Sequence, residues 1–198
     1  MYTLPTTVKI RDNDFKIRNK GDFRMVLDCF NALQDNNLSQ QERVISSLII
    51  FYDDVHSYED LCVLFKDDED LKLAIEKMYE FFNCNQKEVG AKQNYKLIDW
   101  DNDSQIICSA INNVANIEIR SLEYLHWWTF MGYYISIGES VLSTVVSIRH
   151  KIATGKKLEK YEKDFRKDNP NYFNFDYRTS EQREEDAKFR AMWEGGSS

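Results

Sequence analysis

Apolar and polar positions alternate over the first twenty residues and then change period. Val8 and Ile10 alternate with polar neighbours, Arg11-Asp12-Asn13-Asp14 interrupts them as a turn, and Phe15 and Ile17 resume the alternation. That pattern predicts a small β-hairpin, which is too short to stand alone and has to pack on helices. From Gly21-Asp22 onward the apolar residues recur every three to four positions. Asp22 is placed to cap a helix carrying Phe23, Val26, Leu27, Phe30 and Leu33. Ser39-Gln40-Gln41-Glu42 has the spacing of a capping box before the stripe Val44, Ile45, Leu48, Ile49 and Tyr52. Ser57 to Asp60 repeats the pattern before Leu61, Leu64 and Phe65. Asp67 to Asp70 then puts four acids at the start of a helix with Leu71, Ile75, Met78, Tyr79 and Phe82, where its dipole favours them.

After a polar connector from Asn83 to Lys96, three helices are predicted. Ile106, Ile107, Ala110, Ile111 and Val114 mark the first; Leu122, Leu125, Trp128 and the residues up to Ile137 mark the second; Ser140 to Arg149 forms the third. Gly155 precedes a charged helix, Lys156 to Lys167, that stops at Asn169-Pro170. Phe173, Phe175 and Tyr177 fall at period two, which predicts an extended stretch. Ser180 to Trp193 is a last helical signal before the flexible Gly195-Gly196-Ser197-Ser198. The expected architecture is mainly α: one helical domain over residues 1–170 with an N-terminal β-hairpin. Residues 171–198 are an extended aromatic segment, an amphipathic helix and a flexible tail.

Composition agrees with that class. Two prolines and seven glycines in 198 residues leave few breaks for helices. A chain of this length buries roughly 70% of its unfolded surface in a single core. The formal charge of −7 argues against a general nucleic-acid binder. Charge is also uneven: residues 1–148 carry −9, residues 149–178 carry +4 and residues 179–198 carry −2. Complementary acidic and basic parts permit self-association, or return of the basic helix onto its own body. The four cysteines include no CxxC pair, and Cys29, Cys62 and Cys108 sit in apolar helical settings, so buried free thiols in a reducing cytoplasm are expected. No membrane span is expected, since the longest unbroken apolar run, Leu48 to Tyr52, is far below the ~20 residues one needs.

Candidate chemistry is sparse. Asp99, Asp101 and Asp103 have the alternation of a calcium loop, but the positions that need Gly and Glu hold Ser104 and Ala110. These acids are better read as capping and charging the Ile106 helix, with Trp100 packed beneath it. Glu123 and His126 have Glu-x-x-His spacing, yet a di-iron bundle needs a second copy, and the nearest is Asp53-x-x-His56. His126 is therefore expected to be buried beside Trp127 and Trp128 and bonded to a carboxylate. With no GxSxG, HExxH or glycine-rich phosphate loop, no catalytic residue, metal site or cofactor is assigned. In the basic helix Glu159, Glu162 and Asp164 interleave with the lysines. Pairs such as Glu159–Lys163 and Glu162–Arg166 favour a solvated face over a nucleic-acid site. The tryptophans at 100, 127 and 128 are assigned mainly to the core. Partner binding is assigned to Phe173, Phe175, Tyr177 and Trp193, with the alternative that this segment folds back over the core.

Three stretches carry a family resemblance: IDWDNDSQIICSAI from Ile98, SLEYLHWWTFMGYY from Ser121, and VLSTVVSIRHKIATGKKLEKYEKDFRKDNP from Val141. In order and spacing they resemble the bacteriophage gene-product-fifteen family, from the tail-gene region of siphophages and prophages of Gram-positive bacteria. The match is evident over about residues 97–170 and looser over 4–84. The resemblance implies a mostly helical, non-enzymatic tail assembly chaperone in the host cytoplasm. Such a protein binds the long helix of the tape measure protein, or another phage tail protein, self-associates, and is absent from the finished virion. It carries over no catalytic residue and no cofactor. Two other readings stay open: a structural virion component such as a minor tail or connector protein, and a metalloenzyme built on Glu123 and His126.

Overall fold

The computed structural model describes residues 3–35, 37–86, 95–174 and 188. Among them are one two-stranded sheet and eight α-helices. Strands β1 (Thr7–Ile10) and β2 (Asn13–Lys16) are antiparallel, with Val8 opposite Phe15 and Ile10 opposite Asn13. Arg11 takes the left-handed conformation that the tight turn requires, at φ 53°. The hairpin does lean on helical structure: Ile10 and Ile17 are buried, and the Phe15 ring lies 6.0 Å from Tyr52 and 5.2 Å from Phe65.

The helices are α1 (Phe23–Gln34), α2 (Gln40–Phe51), α3 (Tyr58–Leu64), α4 (Asp68–Phe82), α5 (Ser104–Ala115), α6 (Trp127–Ile135), α7 (Val141–Ala153) and α8 (Lys160–Asp168). They fall into two compact units. The first is Met1–Val89 with Ile107–Ile137, and the second is Gly90–Ile106 with Gly138–Ser198.

In the first unit three helix starts follow the predicted caps, at Asp22, Ser39 and Ser57, and Asp67 caps a fourth. Asp22 Oδ1 accepts from the Arg24 N–H at 3.0 Å, and Ser57 and Asp67 accept from the N–H groups of Asp60 and Asp70 at 3.2 and 2.8 Å. Ser39 and Glu42 make the reciprocal capping box, with bonds of 3.3 and 2.8 Å. Each such cap contributes about 1 kcal/mol. Behind them the core is built from Val26, Cys29, Leu48, Phe51, Met78, Ile111, Trp127 and Phe130, all at most 1% exposed. Phe23 stacks on Phe130 at 4.8 Å, and Phe30 meets Trp127 edge-on at 5.6 Å.

Helix ends are closed by long side chains that the apolar pattern does not reveal. The Arg18 guanidinium donates to the carbonyls of Ile49, Ile50, Tyr52 and Val55, so it closes the C-terminus of α2. Asn19, Lys20 and Gly21 follow it in left-handed conformation, at φ 49°, 52° and 78°. A Cβ at Gly21 would lie 2.7 Å from Phe81 Cζ and 3.1 Å from His126 Nε2, so glycine is needed for space as well as for φ.

The structure corrects the second-half reading in more than one place: the charged helix begins at Lys160 and not at Lys156, because Glu159 serves as its N-cap. Leu122 to His126 is not the start of a helix: after a short 3-10 turn at Ile119–Ser121, the chain stays non-helical until α6 begins at Trp127. The reason is Asp22. Its Oδ2 accepts the Leu125 N–H at 2.9 Å, while the Leu125 carbonyl accepts the Phe23 N–H at 2.9 Å. Backbone groups that a helix would have used are thus committed to residues about a hundred positions earlier. Cys62 and Cys108 also depart from expectation, being exposed and half-buried, whereas Cys29 is buried.

The second unit is organised around Arg149. Its five N–H donors are all used: two meet the Asp103 carboxylate, two reach the Tyr172 carbonyl at 3.0 and 2.7 Å, and one reaches the Leu97 carbonyl at 2.9 Å. Both members of the Arg149–Asp103 pair are 2% exposed. The acids at 99–103 do precede α5 as expected, but Asp103 turns inward, and Asp99 accepts from Asp101 and Asn102 N–H at 3.2 and 3.1 Å to shape the turn. Glu162 is buried too. It pairs with Lys151 at 2.7 Å and caps its own helix through the Glu159 N–H at 2.8 Å, in place of the expected local pair with Arg166. The Lys151 contact holds its carboxyl below the usual range.

Candidate functional site

The double tryptophan and its histidine are structural. Trp127 and Trp128 donate their indole N–H groups to the carbonyls of Phe82 and Phe81, at 2.9 and 3.0 Å. Those carbonyls belong to the last turn of α4, so the pair helps to close that helix, together with the Cys84 N–H that also reaches the Phe81 carbonyl at 3.0 Å. His126 caps α6: its Nδ1 accepts the Trp128 N–H at 3.0 Å, and its Nε2 lies 3.0 Å from the Pro5 carbonyl. A carbonyl can only accept and the Trp128 amide can only donate, so both contacts are met by one neutral tautomer with its proton on Nε2. The expected carboxylate partner is thus replaced by a backbone carbonyl. Burial pushes the His126 pKa down.

These bonds also dissolve the Glu-x-x-His motif. Glu123 is exposed and precedes the helix, and neither ring nitrogen of His126 is left for a metal. Among the described residues no group of three or more His, Cys, Asp or Glu side chains is placed to hold a metal ion. Nor is any helix among them long and apolar enough to cross a membrane.

Of the four residues assigned to partner binding, Phe173 alone lies among those described. It follows a 3-10 turn at Pro170–Tyr172 and is half-buried, its ring 6.2 Å from Phe165 of α8 in an edge-on contact. The Arg149 bonds to the Tyr172 carbonyl hold this approach in place. Phe175, Tyr177 and Trp193 lie outside the described residues.

A different surface has the shape of a binding site. In the first unit an open groove of about 470 Å³ is walled by α2, α3 and α4. Its apolar lining comes from Val44, Ile45, Leu61, Phe65, Leu71 and Ile75. Gln40, Gln41, Tyr58 and Cys62 supply its polar atoms. The lining residues belong to the stripes read from the sequence, but their cover is incomplete. With seven residues α3 is only about 10 Å long, less than half the length of α4, so it shields little of what the longer helices present. Tyr58, at 57% exposed, stands at the edge. The neighbouring Cys62 thiol holds the Tyr58 hydroxyl above the ordinary phenol range. The groove brings together no nucleophile and base, and no convergent charged groups of the kind that fix a small substrate. Apolar side chains are what it can accept.

Charge gathers along the same helices. Residues 53–70 carry eight acidic side chains and a single lysine. Asp67 to Asp70 lie in the chain between the lining residues Phe65 and Leu71. Arg11 of the hairpin turn offsets part of this, reaching Asp70 at 2.7 Å and Asp67 and Glu69 at 3.6 and 3.7 Å.

No curated protein and no solved structure matches the chain. A family model does: the one described as Bacteriophage Gp15 protein matches residues 2–173, a span that includes all eight described helices and ends at Phe173. On that match the chain belongs to the Bacteriophage Gp15 protein family.

Proposed function

We propose that this phage protein is a non-enzymatic tail assembly chaperone that binds the helical tape measure protein during tail morphogenesis in the host cytoplasm. The observation that carries the reading is the open apolar groove between α2, α3 and α4. A long tail protein with an apolar stripe is prone to aggregate until it is assembled. A groove lined by aliphatic and aromatic side chains covers such a stripe as a helix-binding groove does, through anchors spaced along one helical face. The affinity need not be high, because release is part of the task. Phe173, Phe175, Tyr177 and Trp193 are proposed as a second contact, and self-association as a further part of the same activity.

Co-expression with the long helical tail protein of the same phage tests this. The chaperone is expected to keep that partner soluble and to co-purify with it, and Ile75→Glu or Val44→Glu, which put a charge into the groove, are expected to abolish the effect. No change in partner solubility would overturn the proposal. Detection of the protein in purified virions would favour a structural component in its place.

A further inference from the structure

The groove lining says only that an apolar face fits. The charge beside it narrows the occupant. On α3, Glu59 and Asp60 lie between the lining residues Tyr58 and Leu61, and Asp67 to Asp70 join Phe65 to Leu71. On α2, Glu42 lies between Gln41 and Val44. The cations near these acids are few or engaged. Arg43 is buried and donates to the carbonyls of Asp35 and Leu38, at 2.6 and 3.0 Å. Lys72 stands 4.0 Å from Glu76. Arg11 is shared among three carboxylates. Lys66 alone interrupts the acids between residues 53 and 70.

We infer that the groove takes an amphipathic helix whose apolar stripe is flanked by lysine or arginine, laid with its cations over the acids of α3 and the start of α4. This rests on the chaperone reading for the partner being a helix, and adds which helix is accepted. Apolar contact supplies the affinity, while the acidic border sets orientation, hastens encounter and rejects acid-flanked helices of equal hydrophobicity.

Cys62 provides the measurement, because it lies in the groove and is exposed. The other thiols are slower: Cys29 is buried with its pKa pushed up to about 12, Cys84 is pushed up to about 11, and Cys108 is also raised, in each case chiefly by burial. The full chain is treated with a thiol-alkylating reagent while two synthetic helical peptides are titrated. They share one apolar stripe, flanked by lysines in one and by glutamates in the other. The lysine peptide is expected to protect Cys62 at about tenfold lower concentration in low salt, with the advantage shrinking as salt is raised through the range where the Debye length falls below ~8 Å. The double variant Glu59→Lys with Asp68→Lys, both exposed sites, is expected to remove the preference while leaving protection by the apolar stripe. Equal protection by both peptides, or by neither, overturns the inference. Protection that grows with protein concentration alone also overturns it and assigns the groove to a second copy. Protection in the free protein at every concentration assigns it to the chain's own remaining residues. The two proposals fail separately. A tail protein kept soluble while the peptides are indistinguishable removes the charge rule alone, and discriminating peptides with an unaided tail protein remove the chaperone alone.

Discussion

At the scale of single residues, the side chains with most at stake are polar ones placed among apolar neighbours. Burial favours the neutral form of His126 against the opposing pull of the Pro5 carbonyl and Asp22, and a proton on Nδ1 would face the Trp128 N–H it now accepts. Because burial holds its pKa below the ordinary 6.5, its contribution is complete above that value and is lost as pH falls toward the folded-state value. Denaturant midpoints measured between pH 7.5 and 5 should decline on the acid side, and His126→Asn, which keeps a capping oxygen, should flatten that decline. Arg149 and Asp103 are more demanding still. Arg149→Ala should cost about 3–5 kcal/mol in equilibrium unfolding, since it strands a buried carboxylate and two carbonyls, and Arg149→Lys should recover little because an ammonium cannot span the fork. Gly21→Ala should destabilise by about 1–3 kcal/mol, combining a left-handed φ with a clash against Phe81. Arg149 had a trace in the sequence: it falls seven residues after Leu142 and four after Val145, on the apolar face of its own helix. Arg18 left none, because its role is to reach carbonyls more than thirty positions away.

At the scale of elements, helix starts were legible because caps are local chemistry. Asp22, Ser39 and Ser57 cap the helices their spacing predicted, and Asp67, expected only to charge the start of α4, caps it as well. The segment before Trp127 was misread because its apolar period is helical, while its hydrogen bonds go to Asp22 and Phe23, which no local pattern encodes. Glu162 was misread for the same reason, an i, i+4 neighbour being outcompeted by Lys151 of another helix. The closures at the far ends of helices make a testable set. Arg18→Met keeps the aliphatic stem but removes the donors to α2. Amide exchange in the last turn of α2 is expected to accelerate more than exchange in its first turn, and uniform acceleration would instead indicate global destabilisation.

At the scale of the molecule, the mainly helical class and the N-terminal hairpin could be read from periodicity, and the family from the order of three motifs. The groove could not. A sequence shows which face of a helix is apolar but not whether a neighbour covers it, and here the shortness of α3 decides that. The aromatic residues after Pro170 drew attention because they are conspicuous in sequence, whereas Val44, Ile45, Leu71 and Ile75 look like ordinary core positions. Ile75→Glu is therefore expected to separate stability from binding. Half-buried in the groove wall, it should lower the thermal midpoint only modestly, by a few degrees, while removing Cys62 protection by either helical peptide.

The way α4 is anchored has a practical consequence. Its first half supplies Leu71 and Ile75 to the groove, and its last turn is held by the indoles of Trp127 and Trp128. The helix is therefore flanked by a chemical reporter across the groove from its first half, the Cys62 thiol of α3, and by an optical one at its last turn, the paired tryptophans of α6. Loss of alkylation with an unchanged emission spectrum would signify occupancy of the groove on an intact helix. A red-shifted emission would signify that the far end had come loose, so a single labelled titration can tell docking from unravelling.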